Sequence, residues 1–119
     1  MNPKLYVITL WAENVAQTAH FYRDVIGLPL VALATNHGYP HFDLGGIYLA
    51  ILEGKTAVVT ESRFPCIAFS VEDLDAAIQR LQSHQVKLPF GVEEDRDNRW
   101  VMVHDPGGNL IELAELKKG

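Results

Sequence analysis

AENVAQTAHFY (Ala12–Tyr22) and VEDLDAAIQRL (Val71–Leu81) are one pattern written twice. Each places a polar capping residue, Asn14 or Asp73, before a stretch with helical apolar spacing. Asn14 has Gln17 three residues later, a capping-box pattern. In the first copy Val15, Ala19, Tyr22, Val25 and Ile26 form the stripe, so a helix is predicted over Val15–Ile26. Gly27 ends it and Pro29 prevents its continuation. In the second, Leu74, Ala77, Ile78 and Leu81 predict a helix over Leu74–His84.

The flanks repeat as well. A strand over Leu5–Trp11 precedes the first helix, and strands over Leu30–Ala34, Tyr39–Leu44 and Ile47–Leu52 follow it. Gly45-Gly46 turns between the last two. A strand over Cys66–Val71 precedes the second helix, and strands near Val86–Phe90, Arg99–His104 and Leu110–Leu113 follow. Asp105-Pro106-Gly107-Gly108-Asn109 supplies the last turn. LGGIYLAIL also pairs with PGGNLIELA. The order is βαβββ twice, with a period of about 60 residues, which means a pseudo-twofold domain and not a solenoid. The fold class is α+β, with two βαβββ modules forming an eight-stranded cup-shaped sheet. The whole chain is read as one domain, with modules over about 4–53 and 64–115 and a joint over 54–63.

Strand parity sorts the side chains. Tyr6, Ile8, Leu10, Leu49 and Ile51 share one face with Ile67, Phe69, Val101, Val103, Ile111 and Leu113 in the second module. That set is apolar and is expected to pack under the helices. The opposite parity carries Val7, Thr9, Trp11, Tyr48 and Ala50, then Cys66, Trp100, Met102, His104 and Glu112. A mixture of small, aromatic and a few polar groups suits a small-molecule pocket, and equally a second core or a dimer interface.

Composition narrows the classes of function. The chain has 119 residues, 48% hydrophobic and 21% charged, which excludes intrinsic disorder. Ten Lys and Arg against fifteen Asp and Glu give −5, and no basic block occurs, so nucleic acid is not an expected partner. No apolar run reaches the roughly 20 residues of a spanning helix, and no membrane partner is expected. Cys66 is the one cysteine, which excludes an internal disulfide and a zinc-finger ligand set. MNPKLYVITL lacks the apolar core and cleavage site of a signal peptide, so a cytoplasmic location is expected.

FYRDVIGLPL (Phe21–Leu30), IAFSVEDLDAAI (Ile67–Ile78) and HDPGGNLIELAE (His104–Glu115) resemble the vicinal oxygen chelate superfamily, also called the glyoxalase/bleomycin-resistance/dioxygenase superfamily. The resemblance covers almost the whole chain. It implies paired modules forming a cup, and a homodimer for a single-domain member. In metal-using members, one ligand comes from the first strand of each module and another from the last. Carried over, those positions are Val7, Ala50, Cys66 and Glu112. Valine and alanine donate nothing, and Glu112 with Cys66 gives two donors, fewer than a catalytic zinc needs. Exchange of modules within a homodimer changes nothing, because every subunit offers the same four residues. No metal or other cofactor is therefore expected.

The expected function is metal-independent binding of a partly apolar small molecule in an aromatic-lined cup, with Trp11, Tyr48, Trp100, Met102 and Glu112 as ligand-binding residues. Glu112 is also the candidate catalytic acid, since desolvation would raise its pKa. The alternative is a divergent glyoxalase-like lyase, isomerase or dioxygenase, using Glu112, Cys66 and a histidine, His41 or His104, on a divalent metal. Glu93–Arg99 reads mostly as a solvated loop, from which Arg96 or Arg99 would meet an anionic ligand group.

Overall fold

The structure is a computed structural model that describes residues 1–2, 4–32, 39–55 and 66–117. Its elements run β1 (Val7–Ala12), α1 (Val15–His20), β2 (Leu30–Ala32), β3 (His41–Asp43), β4 (Tyr48–Glu53), β5 (Ile67–Ser70), α2 (Leu74–Ser83), β6 (Glu93–Glu94), β7 (Asn98–His104) and β8 (Leu110–Leu116). They form two four-stranded mixed sheets, ordered β1-β4-β3-β2 and β5-β8-β7-β6. The predicted α+β fold with two like modules is what these sheets show. The chain divides into two compact units, and the turn Pro106–Asn109 belongs to the first.

In each unit the first strand pairs parallel with the last, β1 with β4 and β5 with β8. Parallel neighbours need a long crossover, and each module's helix lies within it. Both predicted caps hold: Asn14 accepts from Gln17 N–H at 3.0 Å and Asp73 from Ala76 N–H at 3.1 Å. After His20 the first helix widens into a π-helical segment, Phe21–Ile26, where a uniform α-helix was expected. Gly27 closes it at φ 86°, and Gly27 and Leu28 N–H both donate to the Tyr22 carbonyl. Glu115 on β8 tethers the second helix by accepting from Leu74 N–H at 3.0 Å.

The helix-facing parity holds on β4, β7 and β8, whereas Ile8 and Leu10 on β1 and Ile67 and Phe69 on β5 are only half-buried. Phe42, Leu49 and Ile51 are fully buried in the first unit, and Val101, Val103 and Ile111 in the second. Burying such aliphatic side chains contributes roughly 1.5–3 kcal/mol each before chain entropy. Tyr6 departs from its predicted face: β1 begins only at Val7, and Tyr6 is 73% exposed. Two further expectations fail together. Val86–Phe90 is not a strand, and the edge strand forms at Glu93–Glu94, inside the segment read as loop. Pro89 lacks a ladder N–H and Gly91 takes φ 66°, so pairing starts beyond them, with Glu93 opposite Trp100. The predicted strand end Leu33–Ala34 and most of the joint 54–63 lie outside the described residues.

Gly107 fills a place that no side chain can. A Cβ there would lie 2.7 Å from the Ala12 Cβ and 3.0 Å from the Trp11 carbonyl oxygen. Asn109 Nδ2 donates to that same carbonyl at 3.1 Å. The PGGN turn is thus seated on the end of β1. Since backbone cannot swing aside, Gly107→Ala is expected to destabilise by about 1–3 kcal/mol. Urea unfolding reads this as a lower midpoint at unchanged slope.

Candidate functional site

In the first unit, strand register builds one open face. Val7 lies opposite Tyr48, and Thr9 opposite Ala50, across β1 and β4. His41 on β3 lies opposite Ala50 from the other side. Thr9, Ala50 and His41 therefore form one cross-strand row. Ala50, in the middle, is small and nearly covered by its neighbours, at 3% exposure. This face holds a cavity of about 460 Å³, within the usual range of small-molecule sites. Its walls are Tyr6, Tyr39, Tyr48 and His41, over a floor that includes Val7, Ala50 and Leu52. The His41 ring stands edge-on to Tyr39 and Tyr48, with centroids 6.1 and 5.7 Å away. Its Nδ1 is buried and has no hydrogen-bond partner.

Of the residues picked from sequence, Tyr48 lines this cavity together with the family positions Val7 and Ala50. Trp11 is on the same strand face, opposite Leu52, but is not part of the lining; its ring packs on Gly54, where a Cβ would come within 2.8 Å. His41, a candidate metal-ligating histidine in the sequence, also lines the cavity, and Tyr6 and Tyr39 join it without having been site candidates. Parity supplied a signal for two of them: Tyr39 and His41 alternate with Phe42, whose burial points it the other way.

The second unit gathers a different group. Ala68, Glu112 and Met102 form a row across β5, β8 and β7, with Trp100 in the next row opposite Ala114. Met102 is buried, Trp100 and Glu112 are half-buried, and Trp100 Nε1 is buried without a partner. Burial pushes the Glu112 carboxyl above its ordinary pKa, and the nearby Glu93 carboxylate adds to the shift. The Cys66 thiol is also raised, first by burial and then by the Glu112 charge, so it is not a thiolate nucleophile at neutral pH. His104 lies opposite Leu110 on β8, while Cys66 precedes β5 on the other side of that strand. They are two strand spacings apart, roughly 10 Å. Among the described residues, no group of three or more His, Cys, Asp or Glu side chains could hold a metal. Val7 and Ala50 have no donor atom to add to Cys66 and Glu112. This donor set does not fit a resident divalent metal.

The loop arginines have other partners or none near a ligand. Arg99 reaches Asp75 at 3.3 Å and Glu115 at 3.8 Å, while Arg96 is almost fully exposed beside Asp97.

Comparison with known proteins adds an independent view. The model of the Glyoxalase/Bleomycin resistance protein/Dioxygenase superfamily matches residues 4–113. Metallothiol transferase FosB of Staphylococcus haemolyticus is 32% identical over 111 residues, covering 89% of this chain and 78% of that protein. Among solved structures, the fosfomycin resistance protein FosX of Listeria monocytogenes superposes with TM-score 0.79 at 20% identity, over 97% of this chain and 94% of that one. TnmS3, an antibiotic binding protein from a Streptomyces species, gives TM-score 0.72 at 20% identity, over 98% of both chains.

Glu112 generates a paired prediction. Its pKa is higher folded than unfolded, so its stabilising contribution is complete below the unfolded carboxyl pKa. That contribution is lost as pH rises through the raised folded value. Glu112→Gln is therefore expected to raise the melting temperature at neutral pH, with the gain closing in acid. The same change leaves burial in place but removes the charge that adds to it in raising the thiol, so Cys66 should react faster with a disulfide reagent at mildly alkaline pH.

Proposed function

The chain belongs to the glyoxalase/bleomycin resistance protein/dioxygenase superfamily, and we propose that within it this protein is a metal-independent binder of a partly apolar small molecule. The observation that carries this reading is the cavity on the open face of the first sheet, walled by Tyr6, Tyr39, Tyr48 and His41. Aromatic walls over an aliphatic floor bind flat apolar ligands through area burial and ring contacts. The donor-poor family positions Val7, Ala50, Cys66 and Glu112 support the metal-free part of the reading. Trp11, Trp100, Met102 and Glu112 remain proposed contributors to ligand binding. A homodimer in the cytoplasm is the proposed working form; no helix among the described residues is long and apolar enough to cross a membrane.

A second reading has one specific observation in its favour. The FosB relative, at 32% identity, is named as a metallothiol transferase. On that reading the chain is a divergent enzyme working through Glu112, with Cys66 and a histidine on a metal. The two readings separate in one survey of thermal stability. Flat apolar compounds are screened with the protein in chelator, then with zinc, manganese, nickel or iron added. Binding without metal predicts compounds that raise Tm equally in chelator and in metal, by mass action. Stabilisation only when a metal is present contradicts the proposal and favours the enzyme.

A further inference from the structure

The His41 imidazole carries information about what the cavity takes. Its Nδ1 is buried without a donor or acceptor in reach. A bare buried acceptor costs less than a buried N–H with nothing to bond. The neutral ring therefore keeps its proton on Nε2 and leaves Nδ1 bare. That leaves Nε2–H as the one ring-nitrogen donor available to an occupant of the cavity, beside the Thr9 and tyrosine hydroxyls.

The described walls add no charge to this donor. They are three tyrosines with Val7, Thr9, Ala50 and Leu52, whose polar side-chain groups are uncharged hydroxyls. Asp43 shares the strand face of His41 and pairs with Tyr48. Its Oδ1 is committed to its own turn, accepting from Gly45 and Gly46 N–H at 2.9 and 3.4 Å. A cation would meet no described carboxylate in the lining, and an anion no fixed positive charge.

We propose that the cavity selects a flat, uncharged ring system bearing a carbonyl oxygen. The ring lies over Ala50, against the tyrosines, and the oxygen accepts from His41 Nε2–H. This rests on the binding reading above and names the ligand class for the same site.

The test uses the whole protein with three two-ring probes: coumarin, naphthalene and N-methylquinolinium. Affinities are measured by titration, and NMR of histidine labelled with ¹⁵N reports the tautomer. The expected results are a free His41 protonated on Nε2, and coumarin bound more tightly than naphthalene by about fivefold or more, the worth of one net hydrogen bond. His41→Phe keeps a ring in place and should erase that preference. Ala50→Leu fills the space above the row and should weaken both neutral probes. Equal affinity for coumarin and naphthalene, a preference that survives His41→Phe, or a proton on Nδ1 would overturn the proposal. So would tighter binding of N-methylquinolinium than of coumarin. The tautomer is read on the unaltered protein, so a misfolded variant does not shelter the idea. If no probe binds while a compound from the stability survey does, the ligand class is wrong and the binding reading stands. If the survey also yields nothing, both fall.

Discussion

The parallel register of β1 on β4 is the constraint from which the candidate site follows. It sets Val7 opposite Tyr48 and Thr9 opposite Ala50, and β3 then brings His41 to Ala50 from the far side. Side chains alternate along a strand, so a slip of one residue would send Leu49 and Ile51 into the open face and Ala50 under the helix. Full burial of Leu49 and Ile51 opposes that slip, because exposing them forfeits the hydrophobic contribution that holds the helix to the sheet. The core face thus determines the face that carries the cavity. The PGGN turn closes over the end of β1 through Gly107 and Asn109, and so anchors the strand from which the register is counted.

Much of this was legible in the residues. The caps Asn14 and Asp73, the stop at Gly27 and the glycine turns are local devices, whose chemistry acts on near neighbours in the chain. The repeat then turned two local readings into one architecture. The failures share a different cause. The edge strand at Glu93–Glu94 is set by its pairing with β7, and two acidic residues beside Asp95 carry no apolar alternation to announce it. Tyr6 looked like a core residue because strand parity was counted one residue too far out, and only the start of pairing at Val7 corrects it. His41 stood out in the sequence as a candidate ligand, but its place beside Ala50 in the cavity wall is a cross-strand relation that sequence spacing does not contain.

The two units offer different chemistry. The first has a hollow with aromatic walls and one imidazole, over valine and alanine. The second has a carboxyl and a thiol whose ionised forms burial disfavours, with the Glu93 charge raising Glu112 further and the Glu112 charge raising Cys66 further. A resident metal would require a deprotonated thiol and an ionised carboxylate with at least one more donor.

The most direct test of that account is the metal content of the native protein, measured by elemental analysis before and after incubation with zinc, manganese, nickel, cobalt and iron. The account predicts no stoichiometric metal under any of these conditions. A metal held at one per chain through exhaustive dialysis would contradict it, and would make Cys66, Glu112 and the histidines the centre of the chemistry.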